Sequence, residues 1–255
     1  MKKNVAKSNL IQSIQRAIDI LDCFDDNNPE LSLAEITKKV NLHKSTVYGI
    51  VNTLYFNDYL TQDSETSKYS LGIRLLIKSS LASEKLNIKN IAAKYIEKLT
   101  HKYDLTTHLN IFESEKVYCL DKLSSDTSYY TLSSIVGRAL PLNATASGKL
   151  MLAYLDKEDS MKIIDGLEFT RYTENTITDR ETLLENLDKI RKTGYSLEYE
   201  EVEYGAVSAG TPIFFKNEII GTISVTSSTI KFELIKEDVI KDLITYASEI
   251  TKKLS

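Results

Sequence analysis

Six residues between positions 45 and 53 share one face of a helical pattern, and none of them is charged: Ser45, Thr46, Tyr48, Gly49, Asn52 and Thr53. Short hydroxyls and an amide donate and accept hydrogen bonds at close range, which is what reading the edges of base pairs requires. Lys44, at the start of the same segment, adds a cation suited to a phosphate. An ordinary amphipathic helix would solvate that face with Lys and Glu. Gly49 is costly there, by roughly 1 kcal/mol against alanine. Its missing side chain would let the backbone sink toward a groove floor, and the competing reading is a plain glycine on a solvated face.

Four other groups invite chemistry. In Ala146-Ser147-Gly148-Lys149 the backbone NH groups of a helix start could cradle an anion, against the plainer reading of a loop-to-helix turn. A nucleotide-binding loop would need glycine at 143 and Ser or Thr at 150, where Asn143 and Leu150 stand, so that function is rejected. Along 221–227, alternation sends Thr222, Ser224 and Thr226 to one face and Ile223 and Val225 to the other. Those hydroxyls either line a pocket or face solvent. Glu200-Glu201 suggests a general acid and base, but no nucleophile or cofactor motif accompanies it, so solvated strand-edge charge is preferred and no catalytic residue or cofactor is assigned. His101 and His108 lack a third ligand in register, and no metal is expected.

These residues need elements to hold them. A helix is expected over 13–24 on Ile14, Ala17, Ile18 and Leu21. Ser32 with Glu35 forms a capping box that starts a second helix at 33–40. Asn41-Leu42-His43 leaves room only for a turn, and a third helix follows over 44–56. With Val47 as the buried reference, Ile50, Val51 and Leu54 fall within about 60° of it, while Ser45, Gly49 and Asn52 fall opposite. Residues 59–71 read as a small β-hairpin. Helix, helix, short turn, helix and hairpin is the order of a winged helix-turn-helix.

A connecting helix is expected over 73–87, then a helix over 88–103, a hairpin turning at Ser114-Glu115, a strand near 129–134 and a helix opening at Thr145. A short helix at 157–164 follows. Another capping box at Thr178 and Glu181 starts a helix that closes at Gly194. Strands near 195–200, 205–214 and 219–227 precede a last helix from about Lys236. Hairpin strands flanked by separate helices argue an α+β domain on an antiparallel sheet.

Composition fits. The chain has 255 residues, is 42% apolar and 27% charged, and carries a net charge of −4. Residues 1–78 sum to +1 and the remainder to −5, with Lys38, Lys39, Lys44 and Lys68 gathered around the uncharged face. Indiscriminate coating of nucleic acid is excluded by that balance. No apolar run reaches the 18 or so residues that a membrane span needs, and a cytoplasmic location is expected. Cys23 and Cys119 are read as packed thiols, with no disulfide framework.

The whole chain from Gln12 onward resembles the IclR family of transcriptional regulators. Four blocks carry the resemblance: SIQRAIDILDCF; LSLAEITKKVNLHKSTVYGIVNTL with YSLGIRL; VGRALPLNATASGKLMLAYL; and RKTGYSLEYEEVEYGAVSAGTPIF with IIGTISVTSS. It implies a winged helix at 1–75, a linker helix at 76–87 and a GAF-like effector domain at 88–255. It further implies a repressor of a double-stranded DNA operator, acting as a homodimer or dimer of dimers and responding to a small carboxylate or sugar acid. DNA contact is then expected from Lys44, Ser45, Thr46, Tyr48, Gly49, Asn52 and Thr53, with Ser67, Lys68 and Tyr69 on the wing. Effector contact is expected at Leu132, Ala146, Ser147, Gly148, Glu198, Ser208, Ser224 and Thr226. The rival readings are a GAF-like sensor or enzyme whose front unit only dimerises, and an RNA-binding winged helix, disfavoured because only Tyr48 and Tyr69 offer stacking rings.

Overall fold

The structure, a computed structural model, describes residues 10–25, 27–84, 87–125 and 135–254. They fall into two compact units divided between residues 86 and 87.

The front unit runs α1 (Gln12–Leu21), α2 (Leu33–Val40), α3 (Lys44–Phe56), β1 (Leu60–Gln62), β2 (Tyr69–Leu71) and α4 (Ile73–Glu84). Ser32 and Glu35 cap α2 reciprocally: the Glu35 NH donates to the Ser32 hydroxyl, and the Ser32 NH to the Glu35 carboxylate at 2.8 Å. Asn41, left-handed at φ 50°, ends that helix and turns the chain into α3. Ile20, Ile36, Val47, Val51 and Leu60 form the core, so the apolar faces of all three helices meet. The β1–β2 hairpin is antiparallel, and Leu31 exchanges backbone hydrogen bonds with Tyr69 to tie it down.

One boundary in this unit differs from expectation. Helix α1 stops at Leu21 because Asp25 turns the chain, its carboxylate accepting from the NH groups of Asn27 and Asn28. Helix α4 is described from Ile73 to Glu84, and residues 85 and 86 of the expected connecting helix lie outside the described residues.

The rear unit runs α5 (Asn87–Tyr103), β3 (Thr106–Glu113), β4 (Lys116–Ser124), β5 (Ala139–Leu140), α6 (Ala146–Tyr154), α7 (Lys157–Asp165), α8 (Arg180–Thr193), β6 (Ser196–Tyr199), β7 (Ala206–Phe215), β8 (Glu218–Ser228) and α9 (Thr229–Leu254). The strands form one antiparallel sheet in the order β5-β4-β3-β8-β7-β6. Tight turns at Ser114-Glu115 and Lys216-Asn217 have positive φ at both residues, matching the right-handed twist of the strands they join. The expected strand near 129–134 lies outside the described residues.

The sheet has two unlike faces. Helices α5 and α9 cover one, over Leu109, Val207, Ile223 and Val225; α6, backed by α8, lies on the other. Helix α9 begins at Thr229 rather than near Lys236: Phe232, Ile235 and Val239 carry its inward period from the first turn, while Ile230 and Leu234, facing out, blur that period in the sequence. Helix α8 is capped by Asp179, one residue later than expected, whose carboxylate accepts from the Thr182 NH at 2.8 Å. Gly194 closes it at φ 80°.

Candidate functional site

Helix α3 presents the uncharged face to the outside. Lys44, Ser45, Tyr48, Gly49 and Thr53 are exposed, and Thr46 and Asn52 are half-buried. His43, at the helix start, places its Nδ1 3.2 Å from the Ser45 hydroxyl. The Thr53 hydroxyl donates to the Gly49 carbonyl at 2.8 Å, which leaves it lone pairs to offer outward. A Cβ built on Gly49 meets nothing within 4 Å, so no packing inside the chain calls for glycine there. On the hairpin, Ser67 is exposed and left-handed at φ 57°, and Lys68 is half-buried. Tyr69 corrects the expectation: it is 6% exposed, a core residue with its ring edge-on to Tyr55 and its backbone paired with Leu31.

In the rear unit a cavity of about 70 Å³ opens between the sheet and the start of α6. Backbone register sets its floor in rows across the strands: Glu198, Ser208 and Thr226 form one, His108 and Ser224 the next, Asn110 and Thr222 a third. Rows two residues apart along a strand lie roughly 6.7 Å from one another. Ser147 sits over the last two, accepting from Asn110 Nδ2 at 2.8 Å and from the Thr222 hydroxyl at 2.9 Å and donating to Ser224 Oγ at 3.3 Å. Asn110 Oδ1 is buried without a hydrogen-bond partner. The Ser208 and Thr226 hydroxyls lie 3.0 Å apart.

The wall is rich in acceptors. Glu198 and Glu203 line it, and among the described residues neither lysine nor arginine does. Burial is the first cause that raises the pKa of Glu198, opposed by the Ser208 hydroxyl, by the NH groups of Glu201 and Val202 and by Lys149. His108 is driven the other way, to about 3, by burial first and the nearby Lys122 second, so its imidazole is neutral at pH 7.

Of the residues expected to contact an effector, Ala146, Ser147, Glu198, Ser208, Ser224 and Thr226 line this one cavity. Gly148 does not. Its NH is taken by the Thr145 hydroxyl at 3.0 Å, and its bare Cα lets α6 pass close to Pro141 and Leu142. Leu132 lies outside the described residues. Lys149 is fully buried and points away, donating to the Leu197 carbonyl at 2.9 Å and pairing with Glu201. Glu201 is therefore neither a solvated charge nor half of an acid-base pair: it is the buried counter-ion of Lys149, its pKa lifted to about 7 by burial against the pull of that lysine.

Known proteins share this architecture. A family model described as the C-terminal domain of the bacterial transcriptional regulator IclR matches residues 81–252, and the IclR helix-turn-helix model matches residues 13–64. The chain belongs to the IclR family. It is 31% identical over 221 residues to the HTH-type transcriptional regulator XynR of Escherichia coli strain K12, covering 86% of this chain and 87% of that one. The crystal structure of Thermotoga maritima IclR superposes with a TM-score of 0.76 at 29% identity, covering 95% of this chain and 98% of that one. An IclR homologue from Microbacterium hydrocarbonoxydans, crystallised with 4-hydroxybenzoate, has the same fold, with a TM-score of 0.85 at 23% identity and coverage of 95% and 98%.

As an IclR-family member the chain is a DNA-binding transcriptional regulator. Sequence reasoning missed seven lining residues of its cavity, among them the polar His108, Asn110, Thr145 and Glu203. For the first two the signal was present: Thr106, His108 and Asn110 alternate with Thr107, Leu109 and Ile111 as the hydroxyls of β8 alternate with Ile223 and Val225.

Proposed function

We propose that this regulator represses transcription by placing α3 in the major groove of an operator, with the β1–β2 hairpin as its wing, and that a small carboxylate or sugar acid bound in the rear cavity changes operator affinity. The observation that carries the reading is the hydroxyl-lined cavity at the first turn of α6, in a different unit from the uncharged face of α3. The NH groups of Ala146 and Ser147 begin that helix, where a carboxylate is favoured. In another protein of this fold a carboxylate, 4-hydroxybenzoate, is the bound ligand. Residues 1–75 serve as the DNA-binding domain, 76–87 as linker and 88–255 as effector domain. Exposed Ile11, Ile14 and Ile18 on one side of α1, with Ile73, Leu76 and Ile77 on α4, suit packing against a second copy, so the working form is a dimer or dimer of dimers acting in the cytoplasm. The rear domain binds and does not catalyse.

A tenfold change in operator affinity needs only about 1.4 kcal/mol of coupling between the sites. The test is a titration against the duplex upstream of the protein's own gene, at several salt concentrations, with and without small carboxylates and sugar acids. Specific binding with a steep salt slope that one acid shifts is the expected result. Removing Lys44 and Lys68 should flatten that slope by about one unit per lost phosphate contact. Binding unchanged by both substitutions would favour a sensor whose front unit only dimerises.

A further inference from the structure

Glu198 fits poorly with an anionic ligand. Its carboxylate is 4% exposed and stands in the cavity wall, where Oε1 accepts from the NH groups of Glu201 at 2.7 Å and Val202 at 3.3 Å. A second carboxylate, Glu203, shares the wall, and among the described residues the lining holds no lysine or arginine. The cation that acts on Glu198 is Lys149, yet its ammonium is committed to the Leu197 carbonyl and to Glu201. Beyond these, His108 faces the same space from β3 as a neutral ring, while β7 and β8 offer only the hydroxyls of Ser208, Ser224 and Thr226. An effector carboxylate brought against the buried Glu198 does not leave both groups ionised; one of the two takes a proton.

We propose that Glu198 captures one proton when an acidic effector binds, and donates it as a neutral carboxylic acid in a hydrogen bond to the effector's carboxylate. The proton comes from solvent, the new O–H bond is on Glu198, and the effector remains an anion. Effector affinity then rises as pH falls. This assignment rests on the acid-effector reading above. Burial already biases Glu198 toward its protonated form, against the Ser208 hydroxyl, two NH groups and Lys149, and an arriving negative charge pushes it further the same way.

The test is calorimetric titration of the full chain in buffers of different ionisation enthalpy, between about pH 6 and pH 8. The probes are D-gluconate and 4-hydroxybenzoate, each paired with its uncharged counterpart, D-glucitol or 4-hydroxybenzyl alcohol. The expected result is uptake of about one proton per bound acid, none per bound alcohol, and a Kd that weakens by about tenfold per pH unit where Glu198 is ionised. E198Q, whose amide also donates, should bind the acid with no uptake and a flat profile. S208A, which keeps the carboxyl but removes a hydrogen bond to its ionised form, should shift the profile to higher pH. Acid binding without proton uptake overturns the proposal, as does uptake that persists in E198Q, which would put the proton on Glu201, His108 or Glu203. Failure of both acids to bind, with or without the alcohols, overturns the acid-effector reading instead and removes this proposal with it.

Discussion

Replacing Gly49 by alanine separates two properties that most substitutions in a recognition helix change together. Gly49 sits in the middle of α3, and a Cβ there meets nothing within 4 Å, so the methyl enters open space. No internal clash opposes it, and the helix gains the full difference in propensity, about 1 kcal/mol. For a unit of this size that corresponds to a rise in melting temperature of about 4–8 °C. Binding should move the other way. If the backbone at Gly49 lies against the floor of the groove, the methyl holds the helix off, and Tyr48 and Asn52 lose their reach together. Losing one good base contact is worth about 1–3 kcal/mol, so specific affinity should fall by roughly tenfold or more. Thermal melts and operator titrations of the full-length variant read the two effects independently. A more stable protein that binds its operator as tightly as before would refute close approach and leave Gly49 as a solvated glycine. A less stable protein would refute the open space itself.

Asn52→Ala should weaken specific binding more than binding to random duplex; equal losses on both sequences would remove Asn52 from base readout. Gly148→Ala should destabilise by about 3 kcal/mol in urea unfolding, since the new Cβ would lie 2.5 Å from the Pro141 carbonyl oxygen and 2.6 Å from Leu142 Cα, backbone that cannot step aside. A loss under about 0.5 kcal/mol would show that the α6 start relaxes freely. Two groups in the rear unit should set opposite pH dependences. His108, held near 3, contributes stability that is present above its ordinary value of 6.5 and lost as pH falls toward 3, because the unfolded chain takes the proton first. Glu201, lifted to about 7 from 4.5, contributes stability that is present below 4.5 and lost as pH rises through 7. Between pH 7 and pH 5, H108Q should therefore lose less stability on acidification than the parent chain, and E201Q should lose more; parallel profiles for all three would contradict both assignments.

The elements follow from local signals. A side chain three residues from its cap completes a capping box, a glycine closes a helix in the left-handed region, and an apolar period picks the buried face, all within one or two turns of chain. So α2, α3, the hairpin turns and the end of α8 are legible in the residues themselves, as is the division of β8 into a hydroxyl face and an apolar face. Legibility fails where the deciding partner is distant in sequence. Tyr69 looks like a wing residue until Leu31 pairs with its backbone and Tyr55 with its ring. Lys149 belongs to the run read as an anion cradle or a loop-to-helix turn, and Glu201 reads as strand-edge charge, yet 52 residues apart they become one buried ion pair. The cavity is tertiary in the same sense. Its floor comes from β3, β6, β7 and β8 and its roof from α6, and only the strand register decides that Glu198 joins Ser208 and Thr226 while His108 joins Ser224. Sequence alone determined which residues could form hydrogen bonds and on which face of each element they lie. The fold decided which of them meet with water excluded, because burial and opposing charge act through space and not along the chain.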